Sequence, residues 1–194
     1  MFKLVAGLVI FFGVHSIAIV ARDWRERTVA RLSPAAWKVL YSVASLAGFL
    51  LIVGGYAQAR LDPVILYQPP VWVRHLTALL MLPVFPLLLA TYLPGRIKAA
   101  VKHPMLTATK AWALSHLLAN GMLADVLLFG AFLAWAVVDR ISVGKRPQAV
   151  VRGGPLPIRN DVIAVVAGLL IYVFFVGWAH LRLFGVAPMA MPGG

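Results

Sequence analysis

The stretch "MLTATKAWALSHLLANGMLADVLLFGAFLAWAVVD", residues 105–139, decides the fold of this chain. It is almost wholly apolar. As one helix its 35 residues would extend about 52 Å at 1.5 Å per residue. A bilayer's hydrocarbon core is only about 30 Å thick. Asn120-Gly121 is a pair typical of turns. We therefore predict two helices, 105–119 and 122–138, that form a tight hairpin at Asn120-Gly121.

The rest of the chain has the same apolar character. Of its 194 residues, 62% are hydrophobic and only 12% are charged, whereas a soluble domain carries roughly 25% charged residues. Apolar runs of about 20 residues, the length that crosses a membrane as a helix, recur along the sequence. Four further helices are predicted, over residues 2–21, 37–57, 71–92 and 161–183. The sequence thus predicts an all-α, polytopic integral membrane helix bundle of about six transmembrane helices.

Small residues and prolines refine this picture. Ala44 and Gly48 lie four residues apart in the second helix, a spacing that lets two helices pack closely. Pro83 and Pro86 each remove a backbone donor, so the third helix should kink at them. Nothing remains for a separate soluble domain. We expect one transmembrane domain over residues 1–186 and a loose tail over 187–194.

The net charge of +12 does not indicate nucleic acid, because the basic residues lie in short segments between apolar runs. Three such segments, after the first, third and fifth helices, contain 13 of the 18 lysines and arginines. They are Arg22, Arg25, Arg27, Arg31 and Lys38; Arg96, Lys98 and Lys102; and Arg140, Lys145, Arg146, Arg152 and Arg159. The positive-inside rule places these segments in the cytoplasm and both termini outside, with the lipid bilayer as the main partner. A single span over 105–138 would break this pattern.

Several classes of protein are excluded by what the sequence lacks. It has no cysteine, which excludes disulfides and thiolate metal sites. It has no GxGxxG motif, no P-loop, no HExxH motif and no pair of carboxylates within a span. Nucleotide-dependent and hydrolytic enzymes are therefore not supported.

Two histidines stand among apolar residues of predicted spans. His15 is in the first helix and His116 in the fourth, each roughly 10–20 Å from its cytoplasmic end. Ionisable groups inside a span are functional candidates, since burying them without partners costs several kcal/mol. Neutral imidazole is the commonest metal ligand, and two histidines from different helices can bind a haem iron axially. An interhelical hydrogen bond, worth about 1 kcal/mol, is the alternative.

The neighbours of these histidines suit a porphyrin. Trp112 and Asn120 flank His116 at a spacing of four residues, so the three side chains share one helix face. Arg22 follows His15 by seven residues, which returns it to nearly the same face, where it could reach a haem propionate. We therefore take Arg22, Trp112 and Asn120 as candidate cofactor-binding residues beside the two predicted iron ligands.

Four more polar residues are candidates. Lys110 lies within a span, and His103 precedes the fourth helix as a cap or an anion ligand. Asp125 needs a buried partner, for which Asn120 or a backbone donor at the turn is nearest in sequence. His180, near the end of the last helix, fits a structural role.

Taken together, these motifs resemble the core of the NnrU family, bacterial inner-membrane proteins associated with nitric oxide and nitrite metabolism in denitrification. The matching positions are His103-Pro104, Lys110, Trp112-Ala113, His116-Leu117, Asn120-Gly121, Phe129-Gly130 and Asp139-Arg140, together with GVHS at residues 13–16. The resemblance covers nearly the whole chain. It implies a multi-pass protein of the bacterial inner membrane, so the termini that the positive-inside rule predicts outside would lie in the periplasm.

That family is similar to the cis-zeta-carotene isomerase of plants and cyanobacteria, a membrane haem b protein with redox-dependent chemistry. The isomerase's proposed haem ligands are a first-helix histidine followed by serine and a histidine thirteen residues after a His-Pro pair. His15 and His116 match these positions, so the resemblance implies haem b held by His15 and His116. The isomerase has a cysteine three residues before its second histidine. Ala113 stands there in this chain, so no step that needs a thiolate near the iron can occur.

Two other functions remain open. The abundant small residues and the lack of a complete catalytic set also fit a non-enzymatic accessory protein, without a cofactor, that assembles with other membrane or denitrification proteins. A lipid methyltransferase is the third possibility, because a His-Pro pair before a helical hairpin is loosely similar to such enzymes. They use acidic residues after the hairpin to hold the methyl donor, and residues 140–160 contain none.

Overall fold

The computed structural model describes residues 1–145 and 156–189, and the regular elements within these ranges are helices. Their bounds are α1 Phe2–Val20, α2 Arg22–Leu32, α3 Pro34–Ala59, α4 Val73–Met81, α5 Val84–Tyr92, α6 Arg96–Val101, α7 Pro104–Ala119, α8 Leu123–Gly144, α9 Ile158–Phe174 and α10 His180–Phe184. A π-helical turn, Phe175–Ala179, joins α9 to α10. The predicted all-α class is confirmed.

Within the described ranges, five helical stretches are long and apolar enough to cross a membrane. They are Phe2–Val20, Pro34–Ala59, Val73–Tyr92, Leu123–Gly144 and Ile158–Phe184. The remaining predicted span, residues 105–119, is present as α7. Its 16 residues extend about 24 Å and so fall short of a hydrocarbon core of about 30 Å. The chain is a polytopic membrane protein.

Two of the basic segments contain helices that were not predicted from the sequence. The segment after α1 forms α2, and the basic segment after α5 contains α6. The sequence pattern missed α2 because its residues are mostly polar and form no apolar stripe, although arginine, glutamate, alanine and leucine all favour helices. Ser33 separates α2 from α3 with a φ of 89°, and its Oγ accepts a hydrogen bond from the Ala36 N–H at 3.3 Å. Ser33 is thus the N-cap of α3.

The predicted break at Asn120-Gly121 is confirmed, but for a different physical reason. Asn120 ends α7 in an extended conformation, and α8 begins at Leu123. The Gly121 carbonyl accepts hydrogen bonds from the backbone N–H groups of Leu66 at 2.8 Å and Tyr67 at 3.2 Å. A Cβ at Gly121 would collide with the Tyr67 carbonyl oxygen. Glycine is required here because the backbone of Tyr67 approaches it closely. The packing of the two helices as a tight hairpin stays a prediction.

The described chain forms two compact units. Unit 1 comprises Met1–Tyr67 and Gly121–Val143, and unit 2 comprises Gln68–Asn120 with the described part of Gly144–Gly194. Unit 1 therefore contains α1, α2, α3 and most of α8, whereas unit 2 contains α4 to α7, α9 and α10. Part of the predicted tail, residues 190–194, lies outside the described residues, as do Arg146 and Arg152 of the last basic segment.

In unit 1, α1 and α3 pack closely through glycines. A Cβ added at Gly7 would lie 2.6 Å from the Ile52 nitrogen, and one at Gly48 would lie 2.8 Å from the Phe11 nitrogen. Both distances are far below van der Waals contact, so only hydrogen fits at these positions. The contact that the sequence predicted at Gly48 is confirmed. Close approach of this kind stabilises membrane helices through dispersion contacts, because lipid is as apolar as the side chains.

We expect Gly48→Ala to lower the free energy of unfolding by about 1–3 kcal/mol, because the methyl group must push the backbone of Phe11 away. The measurement is equilibrium unfolding of the purified protein in mixed micelles. Gly54→Ala in the same helix is the matched control, since nothing lies within 4 Å of its added Cβ. Equal losses in the two variants would refute the role assigned to Gly48.

In unit 2, a tyrosine hydroxyl donates a hydrogen bond to a backbone carbonyl that is left without a helical partner at a proline. Pro83 has no N–H, and the Leu82 N–H bonds to the Leu79 carbonyl at 3.2 Å, so the helix stops and restarts as α5. The Tyr172 hydroxyl of α9 donates to the Ala78 carbonyl at 2.9 Å, which supplies the partner lost at the break. The predicted kink at Pro83 is confirmed. Pro86 produces no second break, because it lies in the first turn of α5, where backbone donors have no helical partner.

Tyr172→Phe removes the hydroxyl that satisfies the Ala78 carbonyl while keeping the ring. We expect a loss of about 1 kcal/mol in the free energy of unfolding, the typical size of such bonds in membranes. Tyr92→Phe is the control, because Tyr92 is 74% exposed. Unfolding in mixed micelles measures both variants, and an unchanged stability of Tyr172→Phe would contradict the assignment.

A second polar contact in unit 2 holds the start of α6 to the start of α9. The Asp161 carboxylate accepts hydrogen bonds from the backbone N–H groups of Arg96 at 2.9 Å and Ile97 at 3.0 Å. The neighbouring Asn160 side chain donates to the Pro94 carbonyl at 2.7 Å. A carboxylate at the first N–H groups of a helix is favourable, so Asp161 has a structural role.

Candidate functional site

A cavity of about 350 Å³ lies in unit 1, where α1 ends, α2 follows and α3 begins. Residues 14–18 of α1 contribute His15 and an apolar wall, whereas α2 and α3 contribute basic, aromatic and hydroxyl groups. These groups belong to Arg25, Trp37, Lys38, Tyr41 and Ser42. The volume falls in the range of small-molecule and cofactor sites, roughly 300–1,000 Å³. The cavity is amphipathic, apolar on one side and cationic on the other.

The imidazole of His15 is held in one tautomer. Its Nδ1 lies 2.6 Å from the Phe11 carbonyl oxygen, which can only accept, so Nδ1 carries the hydrogen and Nε2 carries the lone pair. Metal-binding histidines are oriented by the same device, a hydrogen bond from the nitrogen that does not bind the metal. The His15 ring stacks on Phe11 with centroids 4.1 Å apart and meets the Tyr41 ring at 5.2 Å.

Aromatic residues of α8 complete the surroundings of His15. The Trp135 ring stands edge-on to His15 at 5.8 Å, and Phe12 meets Phe132 at 4.9 Å. The indole Nε1 of Trp135 is buried and has no hydrogen-bond partner in the part of the chain that the structure describes. Phe11 and Phe12 belong to α1, like His15, whereas the contribution of α8 was not predicted from the sequence. The three-residue spacing of Phe132 and Trp135 on one helix was the available signal.

Arg25, and not the predicted Arg22, faces the cavity. The Arg22 Nε donates to Glu26 Oε1 at 2.9 Å, and both side chains are more than half exposed. The cause is a break at Ala21, whose φ of −136° and ψ of 47° end α1 and turn the chain into α2. The expected return of Arg22 to the His15 face assumed an unbroken helix. The guanidinium of Arg25 instead lies 5.8 Å above the Trp37 ring, at the rim of the cavity.

In unit 2, His116 is oriented in the same way as His15. Its Nδ1 lies 2.8 Å from the Trp112 carbonyl, which again puts the lone pair on Nε2. The Asn120 side-chain amide donates to the His116 carbonyl at 2.9 Å, and the rings of Trp112 and His116 are 5.3 Å apart. The three residues thus contact one another along one face of α7. That the two imidazoles bind one metal stays a prediction.

The remaining candidates His180, His103 and Lys110 also belong to unit 2. The His180 Nδ1 lies 2.7 Å from the Val186 carbonyl, so it holds the segment after α10. His103 precedes α7, and its carbonyl accepts from the Thr107 N–H at 3.1 Å. Lys110 lies half-buried on α7. Across residues 1–145 and 156–189, no three His, Asp or Glu side chains are grouped to hold a metal ion by themselves.

Asp125 is fully buried at the start of α8 and has two donors. The Tyr56 hydroxyl donates to one carboxylate oxygen at 2.5 Å, and the Met122 N–H donates to the other at 3.0 Å. The predicted backbone donor at the turn is therefore present, but Tyr56, 69 residues away in sequence, was missed. Burial and the nearby carboxylate of Asp125 raise the pKa of the Tyr67 phenol, which stays protonated at neutral pH.

We expect Tyr56→Phe to lower the free energy of unfolding by about 1–3 kcal/mol, because the buried Asp125 carboxylate loses one of its two donors. In combination with Asp125→Asn, the loss should be smaller than the sum of the single losses, which shows direct coupling. Asp62→Asn, at an exposed position, is the control and should have little effect. Strictly additive losses would mean that the two side chains do not act as a pair.

Comparison with known proteins agrees with the resemblance seen in the sequence. The family model described as NnrU protein matches residues 3–188, from the first turn of α1 to beyond the end of α10. No curated protein and no solved structure matches the chain. The family match includes His15 with its cavity and the face of α7 that carries Trp112, His116 and Asn120. Because it extends over nearly all of the sequence, the chain belongs to the NnrU protein family.

Proposed function

We propose that this protein binds haem b in the bacterial inner membrane and acts in redox or nitric oxide-linked metabolism during denitrification. The observation that carries the proposal is the cavity at His15. There an imidazole with its lone pair on Nε2 stands beside an apolar wall, aromatic rings and two cationic side chains. Such a set of groups suits a flat, mostly apolar cofactor with a metal at its centre and acidic groups at one edge.

The residues that line the cavity and those that contact His15 beside it suit the parts of haem b. His15 offers a nitrogen that iron binds well. Phe11, Tyr41 and the apolar residues of α1 suit the faces of a porphyrin. Arg25 and Lys38 carry the charge that propionates attract. The unpartnered indole N–H of Trp135 beside His15 adds a hydrogen-bond donor to these surroundings.

His116 is the second ligand that the sequence resemblance predicts, and its own surroundings support the role. The tautomer of His116 matches that of His15. Trp112 contacts the His116 ring, and Asn120 donates a hydrogen bond to the His116 carbonyl on the same helix face. When bound, haem b supplies one-electron transfer and a metal that can bind nitric oxide. The protein's part would be to fix the imidazoles and exclude water. Ala113 stands where the isomerase has a cysteine, so the chain lacks the thiol that isomerase-like chemistry would need.

The placement in the inner membrane is part of the proposal. The basic residues after α1, after α5 and after α8 support a cytoplasmic location for those three segments, with both termini in the periplasm. The cavity at His15 would then open near the cytoplasmic face, because it lies where α1 ends and α2 begins.

The test is the absorption spectrum of the protein, purified in mild detergent from haem-sufficient cells, in both oxidation states. We expect a Soret band that shifts on reduction and is lost or strongly altered in His15→Ala and His116→Ala. His180→Ala is the matched control and should keep the band, since His180 does not line the cavity and is neither of the two predicted ligands.

Gel filtration and circular dichroism of each variant establish that the fold is retained before the spectra are compared. A wild-type protein without a Soret band, or a band that both substitutions leave unchanged, would refute haem binding at these residues. A native pull-down that then returned denitrification proteins would favour the alternative, an accessory protein without a cofactor.

A further inference from the structure

We infer that Arg25 and Lys38 form an anion subsite in the cavity of unit 1, which binds the carboxylates of the ligand held at His15. The inference rests on the proposed function and adds to it the residues that select an acidic ligand. It also replaces Arg22, the arginine that the sequence suggested, with an arginine that lines the cavity.

Arg25 differs from the other arginines of α2 in its surroundings. Arg22, Arg27 and Arg31 are exposed, whereas Arg25 is half-buried against the Trp37 ring. Arg22 is also partly neutralised by its ion pair with Glu26. A guanidinium over the face of an indole is attracted to the ring and keeps N–H donors available at its edge. Arg25 is therefore the cation of α2 that is arranged for a ligand.

Lys38 of α3 adds a second positive charge to the cavity beside that of Arg25. Lys38, Tyr41 and Ser42 follow one another at three and four residues, so they share a helix face, and all three line the cavity. Among the described residues, neither Arg25 nor Lys38 has a carboxylate within ion-pair distance. Two cations and two hydroxyls thus line one cavity, and the protein anion that acts on this group is the Asp139 carboxylate of α8, through its electrostatic effect on Tyr41.

The apolar wall determines what kind of anion fits. Val14, Ile17 and Ala18 line the same cavity, so a small free anion would leave that wall without contacts. A ligand with an apolar body and carboxylates at one edge would satisfy both sides. A guanidinium can bind a carboxylate through two parallel hydrogen bonds, which adds geometric selectivity to the charge.

The experiment uses metal-free protoporphyrin IX and its dimethyl ester, which share the macrocycle and differ in whether the two carboxylates are ionised or capped with methyl groups. Each is titrated into the detergent-solubilised wild-type protein, and binding is measured by porphyrin fluorescence. We expect the free acid to bind at least about tenfold more tightly than the ester, because charged hydrogen bonds of this kind change affinity by that factor or more.

Arg25→Gln and Lys38→Gln should each weaken binding of the free acid by about tenfold and leave binding of the ester unchanged. Arg22→Gln is the matched control and should bind both as the wild type does, since Arg22 lies outside the cavity lining. Arg25→Lys keeps the charge and should recover part of the affinity, which separates a lost contact from a misfolded variant.

Equal affinity of acid and ester in the wild type, equal weakening of both in the variants, or no porphyrin binding would each overturn the subsite. Displacement of the free acid by phosphatidylglycerol but not by phosphatidylcholine would assign these cations to lipid phosphate and overturn it too. His15→Ala separates the two proposals, because it removes the predicted iron ligand but no carboxylate contact. If the subsite is correct, His15→Ala still binds metal-free protoporphyrin IX, whether or not the wild type binds haem.

Discussion

Polar groups inside a membrane have no water to bond, so each must find its partner within the protein. This constraint explains contacts that would be optional in a soluble fold. The Tyr172 hydroxyl satisfies the Ala78 carbonyl left over at a proline break, and the Tyr56 hydroxyl serves a fully buried carboxylate. The His15 Nδ1–H donates a hydrogen bond to the Phe11 carbonyl, one helical turn earlier. In the last case the structural bond has a chemical consequence, since it fixes which nitrogen can accept a ligand.

Periodicity and composition predicted the elements that depend on hydrophobic length. The long spans, the division at Asn120-Gly121, the close packing at Gly48 and the break at Pro83 are all local properties of the sequence. Helix α2 was not predictable in this way, because its stability comes from residue propensity and local pairs such as Arg22–Glu26. The hydrophobic pattern of a polar segment between two spans does not distinguish a loop from an interfacial helix.

The candidate site was predicted only in part, for a related reason. His15 and its aromatic neighbour Phe11 lie in one helix, so sequence spacing was sufficient to associate them. Tyr41 and Trp135 reach His15 from other helices, and no spacing rule connects residues so far apart in sequence. Arg22 was chosen on the assumption that α1 continued, and the break at Ala21 removed it from that face. One pair of backbone dihedral angles thus decides which arginine faces the cavity.

That break also separates the apolar part of the cavity lining from the cationic part. The apolar helix α1 ends at Val20, before the break at Ala21. His15 therefore lies within the apolar segment, roughly 7–9 Å from its end. The cations of α2 and α3 lie beyond that end, where the apolar segment gives way to polar residues. An amphiphile whose charged edge contacts Arg25 and Lys38 would extend its apolar body toward His15.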